Sequence, residues 1–531
     1  MIMGSASVNG PPASPLRRLH PLLYHTAMPK KTASTQKTTR KRKVADDTVT
    51  QPRSGKRARL QAVAPLNSIP GPSQSSEKRV LLVNGAVNAG QLGLGDDQEK
   101  EVMRPRVHPS VLQLVTSGIM GPSGLEKVAA GGMHSLILDS NGKIWSFGLN
   151  DSLALGRLTK PPEGKPENLP ELVSGLEGFR ATAVAASDNL SIAISETGEL
   201  RAWGTFNSDG LLGFMGHKDK VMEPTALPAF NKKLICDAAC GEDHALALTC
   251  DGTVYAWGNG ANFQLGRRIL ERRKENGLNP EALPLRSIVA VFAGSHNSFA
   301  VDKDGAVFAW GLNQMRQTGV DNAEPQIKKP TAVDALHPEQ HGGARVIEIA
   351  GGEHHTHFLF DNGEVWACGR YGSDRLGLAA DHPRVLEHNA EVDAAEQLAA
   401  QRAAERARVL DHDADVDATD PYLPPDELPR RDDFLVHEPV RPELPPYADG
   451  VSSTMIAHIS VGERYTLAVD ENGFLYSWGE GNASQLGLGN VSNAKTPTRI
   501  ANTALKAHRV TAASAGGQHV LLLGVKQQES L

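Results

Sequence analysis

Read for hydrophobic pattern, the chain breaks into short apolar runs separated by polar turns, and the breaks keep a fixed spacing. In residues 130–156, AGGMHSLILDSNGKIWSFGLNDSLALG, one apolar run ends before Asn141-Gly142, a second begins at once, and glycines stand at 142, 148 and 156. The frame returns around Gly204, Gly258, Gly311, Gly369 and Gly479, each with a glycine six residues earlier. Five of the six copies close with a glycine eight residues later: Gly156, Gly266, Gly319, Gly377 and Gly487. Two apolar runs joined by Asn-Gly or Asp-Gly are a strong hairpin signal. Asn141-Gly142, Asp251-Gly252, Asp304-Gly305, Asn362-Gly363 and Asn472-Gly473 therefore predict type I′ turns, and each copy predicts a small antiparallel sheet. Repeats of this length mean solenoids, arrays or propellers.

The spacing counts the sheets. The steps 148→204, 204→258, 258→311 and 311→369 are 56, 54, 53 and 58 residues. The step 369→479 is 110 residues and holds no second frame, so it reads as one unit with an insertion over 379–450. Residues 80–95 carry only the second half of a unit and residues 513–524 only the first half. Joined, they make a seventh unit that closes a ring and leaves no free sheet edge. The expectation is an all-β, seven-bladed β-propeller over 80–531, closed by pairing of N- and C-terminal half-blades, behind a disordered basic tail over 1–79.

Equivalent positions in the repeat separate fold from function. All six tryptophans follow the hairpin turn, Trp203, Trp257, Trp310 and Trp478 one residue before the frame glycine and Trp145 and Trp366 three before. Positions two apart share a strand face. A ligand-binding tryptophan box is the alternative, but placement in so many units favours packing between blades. Fourteen residues before the frame glycine stand His134, His244 and His355, with His519 equivalent in the split unit. A histidine recurring there reads as a structural hydrogen-bonder.

Composition narrows the chemistry. The 52 glycines suit a turn-dense all-β fold, and no apolar run reaches the ~18 residues of a membrane helix. The cysteines Cys236, Cys240, Cys250 and Cys368 suit free thiols. Cys236, Cys240 and His244 are spaced like metal ligands, yet the Cys240 slot holds non-ligands in other units, so no metal is expected. Walker A and dinucleotide fingerprints are absent from the sequence, and no cofactor is expected. Residues 1–27 lack acids and carry Arg17 and Arg18, the composition of an organelle leader or of an extension ahead of Met28. Residues 30–59 carry eleven Lys and Arg against Asp46 and Asp47, clustered as Arg40-Lys41-Arg42-Lys43 and as Lys56, Arg57 and Arg59. That is a two-part nuclear-import pattern and a phosphate-binding arm. The chain is −6 overall and this arm +9, which leaves about −15 on the rest.

Residues that break the repeat are the functional candidates. The turn before the histidine slot reads Ser187-Asp188-Asn189, Gly241-Glu242-Asp243 and Gly352-Glu353-His354 in three units. Equivalent turns share one face of a ring, so Asp188, Glu242, Asp243, Glu353 and His354 predict an acidic rim with an imidazole. After Trp203-Gly204 the closing glycine, Gly213, arrives nine residues later instead of eight. The extra residue makes the loop at 205–212 protrude. Within the insertion, residues 391–410 have helix-forming composition with a poor apolar face. The aspartates at 411–420 lack the Gly and Glu of a calcium loop, and the prolines at 424–446 predict a largely unstructured connection.

With these residues in view, the chain resembles the regulator of chromosome condensation family, nuclear guanine-nucleotide exchange factors for the small GTPase Ran. The resemblance covers residue 80 to the C-terminus outside the insertion, most specifically at 130–157, CGEDHALAL, AGGEHHTHFLFDNG and SAGGQHVLLLGVKQQES. It implies that the GTPase docks on one propeller face while a loop wedge presses on its nucleotide site. Carried over, the key acids are Asp188 and Asp243 and the key histidine is His354. Glu242 stands where the family has an asparagine. The wedge is Phe206, Asn207, Ser208, Asp209, Gly210 and Leu211, with Asn207 where a basic residue is usual, and Arg267 is a further GTPase contact. The implied partners are Ran, GDP-bound or nucleotide-free, nucleosomal DNA with core histones, and nuclear import receptors, in a chromatin-associated nuclear protein with no membrane contact. The rival reading is a chromatin-associated propeller scaffold without exchange activity. A weaker third is a lyase or hydrolase pairing His354 with Asp188 or Asp243.

Overall fold

The computed structural model describes residues 65–71, 76–96, 101–160, 164–206, 213–214, 220–412, 430–431, 434–446 and 454–527. Asn207, Ser208, Asp209, Gly210 and Leu211 lie outside them, as do Arg40, Lys41, Arg42, Lys43, Lys56, Arg57 and Arg59.

The described residues form seven four-stranded antiparallel sheets. Blade 1 consists of Leu125–Ala130, His134–Asp139, Ile144–Gly148 and Glu171–Leu172, taken outward from the axis. Blades 2 to 6 repeat it over 181–226, 235–282, 288–332, 346–440 and 456–499. In blade 7 the inner strands are His508–Ala515 and His519–Lys526, and the outer ones are Arg79–Ala86 and Glu101–Val107. Arg79–Ala86 pairs with His519–Lys526 in register Leu82↔Leu522, and both strands bury an almost continuous apolar run. The two ends of the propeller thus close its ring.

The predicted type I′ turns are a correction. In the turn after His134–Asp139 only Gly142 is left-handed, at φ 78°, while Asn141 is not. The Gly142 N–H bonds the Asp139 carbonyl, and the Asp139 carboxylate accepts the N–H groups of Asn141 and Lys143. Asp302 and Asp470 hold their turns alike. The acid at the strand end locks a type I turn, and the glycine then takes up the bulge.

The closing glycines explain the frame. A Cβ on Gly156 would stand 2.7 Å from the Trp203 ring nitrogen of the next blade. One on Gly377 would stand 2.8 Å from that of Trp478, and one on Gly93 would stand 2.8 Å from the Phe147 ring. With Gly266, which faces Trp310, four closing glycines leave out a side chain where the next blade seats its aromatic, while Gly319 faces Cys368 and Gly487 faces Pro105. Trp203 and Trp310 also donate their ring N–H to the carbonyls of Ala154 and Gln264 in the preceding blade, at 2.8 and 2.9 Å. Trp145 and Trp366 differ, since they donate within their own blades to Asp139 and Glu364.

The slot histidines are stitches. The Ser135, Ser191 and Ser298 hydroxyls each donate to a backbone carbonyl, so the ring nitrogens of His519, His134 and His244 donate to those hydroxyls across the blade boundary, at 2.8–2.9 Å. Burial holds the three imidazoles neutral, with pKa lowered to about 4 for His134 and His244 and about 3 for His519.

Two features depart from the expected boundaries. Residues 65–71, inside the expected tail, lie against the Asn-Gly-turn face: Asn67 bonds the carbonyls of Cys250 and Ile288 at 2.9 Å, and Ile69 packs on the core of blades 3 and 4. Within the expected insertion, Leu435–Val440 is the fourth strand of blade 5, and Pro383–His412 forms one 30-residue helix.

Candidate functional site

In each sheet the first and third connections leave by the same end, so the turns before the slot histidines share a face with the loops that follow the frame glycines. That face carries the predicted rim. The rim turns are joined in sequence by backbone hydrogen bonds, among them Asp188 N–H to the Glu242 carbonyl, Glu242 to Ser295, Ser295 to Gly352 and Glu353 to Glu463. They surround an axial opening of about 130 Å³, walled largely by glycine backbone, with Asp188, Glu242 and Glu463 at its edge.

These carboxylates influence one another. Burial, reinforced by the charges of Glu242, Glu463 and Asp243, raises the Asp188 pKa to about 7. Burial likewise raises Glu242 against the opposing His296, with Asp243, Glu463 and Glu353 acting in the same upward direction. Glu463 is raised by burial, Glu353 and Glu480 against Arg464. Such a cluster stores repulsion that a cation from outside would relieve. Beside Asp188 is a second cavity of about 200 Å³, walled in part by Met133, Leu149 and Ala154. An apolar sleeve reaching a carboxyl fits a lysine, whose stem is apolar and whose head is charged.

Asp243 is more firmly held. Its carboxylate accepts from Asn259 (2.5 Å) and Gln264 (3.2 Å), while His296 approaches both Asp243 and Glu242, at 3.9 and 3.3 Å. His354 faces Glu353 at 3.5 Å and Arg375 at 3.2 Å rather than either aspartate. Burial lowers its pKa against the opposing Glu353, with Arg375, Arg370 and Arg464 acting in the same downward direction. The imidazole and the two aspartates thus have separate partners, which is not the arrangement of a lyase or hydrolase dyad.

The residues flanking the loop expected to protrude are firmly held. Phe206 and Phe214, on either side of the undescribed residues 207–212, are 4% and 1% exposed and share a core cluster with Trp257. The Phe206 N–H bonds the Gly213 carbonyl at 3.3 Å, and its ring meets Trp257 edge-on at 6.5 Å. Phe206 therefore anchors the loop instead of presenting a contact surface. Arg267 is half-buried and holds its own loop, bonding the Asn279 carbonyl at 3.1 Å and facing Glu281 at 3.5 Å. Glu463, Arg464 and His296 belong to the rim without having been expected there. The first two follow from the same spacing, because Gly462-Glu463-Arg464 precedes Tyr465 as Gly241-Glu242-Asp243 precedes His244.

Comparison with known proteins places this geometry. The model for the RCC1-like domain matches residues 80–522. Protein pim1 of Schizosaccharomyces pombe is 34% identical, over 88% of this chain and 80% of its own length. The guanine nucleotide exchange factor SRM1 of Saccharomyces cerevisiae is 32% identical, over 82% and 85%. The crystal structure of Prp20p from the same yeast, described with its binding properties to Gsp1p and histones, is similar at a TM-score of 0.68 and 30% identity, covering 86% of this chain and 93% of that one. Yeast RCC1 (Prp20) bound to Kap60 is similar at a TM-score of 0.71 and 29% identity, covering 91% and 97%. A ring closed by its own two ends and a domain match spanning nearly all of that ring lead to one conclusion: this chain belongs to the RCC1-like domain family.

Proposed function

We propose that this protein is a guanine-nucleotide exchange factor for the small GTPase Ran, acting on chromatin in the nucleus. The observation that carries the reading is the rim, where burial and then the neighbouring carboxylates Glu242, Glu463 and Asp243 raise the pKa of the half-buried Asp188, beside a chain segment that enters and leaves through the buried Phe206 and Phe214. Relatives support it, since SRM1 is named for this activity and Prp20p for its dealings with Gsp1p and histones. The Kap60 complex of yeast RCC1 supports reading Arg40–Lys43 and Lys56–Arg59 as a signal for an import receptor.

The mechanism is linkage without covalent chemistry, and it needs no cofactor. A GTPase holds its nucleotide through backbone amides, a phosphate-loop lysine and Mg²⁺. A face that binds the nucleotide-free form more tightly must weaken nucleotide binding by the same factor. Accelerating release about 10⁵-fold takes roughly 7 kcal/mol at the transition state. In this reading Asp188 and Asp243 draw basic side chains of the GTPase onto the rim, Glu242 and His354 contact it, and the loop Asn207–Leu211 presses on its nucleotide site. Phe206 and Phe214 keep that loop from yielding.

The direct experiment is release of labelled GDP from Ran with and without the full chain. Acceleration that Asp188→Ala and Asp243→Ala each abolish, with melting temperatures nearly unchanged, is the expected result. Chromatin binding with no acceleration would replace this reading with the scaffold.

A further inference from the structure

The loop that follows the frame glycine ends alike in most blades. Two residues before the closing glycine stand Gln91, Gln264, Gln317 and Gln485, and blade 1 has Ala154 there. Each glutamine oxygen accepts the N–H two residues earlier, from Ala89, Asn262, Met315 and Ala483, at 2.7–2.9 Å. The slot also reaches the rim, since the Gln264 amide donates to the Asp243 carboxylate at 3.2 Å. Blade 5 breaks the pattern with Arg375. A guanidinium only donates, so it cannot accept the Ser373 N–H, and the loop differs where that cap is missing. The loops of blades 1, 3, 4 and 6 turn on one left-handed side chain, Leu153, Phe263, Arg316 and Ser484, whereas blade 5 has two in succession, Ser373 and Asp374 at φ 65° and 61°. Backbone strain of this kind concentrates at functional sites. Arg375 itself is 3% exposed, and its Nη1 donates to His354 Nδ1 at 3.2 Å.

That bond fixes a proton. The arginine has no lone pair to offer, so Nδ1 must accept, and the neutral ring carries its hydrogen on Nε2. Glu353 would favour the other tautomer, but its Oε2 stands 3.5 Å from Nδ1 and accepts instead from Arg464 Nε at 3.2 Å. We propose that Arg375 is a positioning residue for exchange: it holds His354 as the Nε2–H tautomer, so that the imidazole meets a docked GTPase as a hydrogen-bond donor to a carbonyl or carboxylate. The assignment rests on the exchange-factor reading above and deepens it, since the rim then offers acceptors at Asp188 and Asp243 and a fixed donor at His354. In blade 3 the same slot serves the same end, Gln264 holding Asp243. Arginine stands there in blade 5, where the residue held is an imidazole. A glutamine amide can turn either its oxygen or its nitrogen to a ring, whereas a guanidinium leaves one tautomer.

The groups around the ring set the test. Burial, Arg375, Arg370 and Arg464 hold His354 neutral against Glu353, and the adjoining His355 is held neutral by its own burial. Arg375→Met keeps the bulk, frees Nδ1 to take a proton toward Glu353 and raises the pKa of the ring. The full chain, labelled with ¹⁵N at histidine, is compared by NMR with its variants, the His354 signals being those that His354→Gln removes. Expected are an unprotonated Nδ1 in wild type and in Arg375→Lys, a protonated Nδ1 in Arg375→Met, and nearly equal melting temperatures. GDP release from Ran is then read as the ratio of variant to wild-type kcat/KM, which cancels titration of the rim carboxylates and of the GTPase. For Arg375→Met the ratio should be down about tenfold at pH 8, where Nε2 has lost its hydrogen, and recover toward pH 6, where the imidazolium regains it. Arg375→Lys should stay within about threefold of wild type. A protonated Nδ1 in neutral wild type, an unchanged tautomer in Arg375→Met, or a loss that is equal at every pH and follows the melting temperature would each overturn the role. If the full chain fails to release GDP, the exchange reading falls and this role with it. If wild type releases GDP and Arg375→Met keeps the tautomer, the role alone falls.

Discussion

Asp188 offers the sharpest test of the rim, because one substitution should move binding and stability in opposite directions. Its pKa is raised to about 7 by burial and by Glu242, Glu463 and Asp243. At pH 6 about one tenth of such a carboxyl is ionised and at pH 8 about nine tenths. If only the ionised form receives a lysine of the GTPase, apparent affinity scales with that fraction. Binding of the nucleotide-free GTPase should therefore tighten about tenfold from pH 6 to pH 8, or ~1.4 kcal/mol. The sign for folding is the reverse. An acid whose folded pKa lies above its unfolded value favours the protonated folded state, so stability falls as pH rises from about 4 through 7. Asp188→Asn removes both effects: the variant should bind weakly with little pH dependence beyond that of the GTPase, yet melt above wild type at pH 8. Titration calorimetry at constant ionic strength, in buffers of different ionisation enthalpy, reads affinity and proton release together. Parallel pH profiles for wild type and variant, or a variant that melts lower at pH 8, would refute the assignment.

The remaining expectations concern the scaffold and the tail. Trp257→Ala, which empties a site packed by Phe206 and Phe230, should cost ~3–5 kcal/mol in denaturant unfolding; a smaller loss would remove Trp257 from the packing account. Gly156→Ala, facing Trp203 from a left-handed backbone, should cost about 1–3 kcal/mol by overpacking. His458 donates one ring nitrogen to Glu348 at 2.8 Å and the other to the Ala513 carbonyl at 2.7 Å, an imidazolium geometry. Burial opposes the charge, but Glu348 and the carbonyl outweigh it and raise the pKa. That stabilisation is complete below about pH 6.5 and fades as pH rises through the higher folded value, so wild type should lose melting temperature toward pH 9 faster than His458→Gln, and equal losses would exclude the imidazolium. Deleting residues 1–64 should flatten the salt dependence of DNA binding, whose log–log slope is about −0.9 per phosphate neutralised, and leave GDP release intact. An unchanged slope would assign DNA binding to the propeller. Deletion through residue 79 should also lower the melting temperature, since it removes Asn67 and Ile69.

The fold was largely legible because closure leaves its mark on most units. The seat for the next blade's aromatic demands a glycine at Gly93, Gly156, Gly266 and Gly377, and the histidine–serine stitch places a polar pair one blade apart at three boundaries. Both recur often enough to set the frame. The turn type was less legible. Asn-Gly suggests I′ when read alone, and only the contact between the strand-end aspartate and two later N–H groups selects the type I turn with a bulge. The insertion was harder still. Its composition indicated a helix, but the positions of Val385, His388 and Val392 become informative only once Leu435–Val440 is known to be a blade strand. Residues 65–71 are too short to show a period, and their anchorage depends on carbonyls at Cys250 and Ile288, far along the chain.

The rim shows where spacing stops and physics begins. Positions 188, 242 and 463 could be aligned by counting back from the frame glycine, and the same count reaches Glu463 as readily as Asp188. What counting does not supply is consequence. An acid in a surface turn is ordinarily an ionised, solvated group of little energetic weight. Asp188 differs because ring closure brings Glu242 and Glu463, from blades 3 and 6, close enough to oppose its ionisation while the turn withdraws it from water. His354 sits in the equivalent turn of blade 5 but faces Glu353 and Arg375, and its pKa moves downward. Equivalent turns therefore differ by slot: the position of Asp188 is a carboxylate again in blades 3, 5 and 6, as Glu242, Glu353 and Glu463, while the next position is Asp243 in blade 3 and His354, beside Arg375, in blade 5. On the proposed reading a docking partner meets carboxylates and imidazole at once, which makes its orientation on the ring a property of the whole circle and not of any single motif.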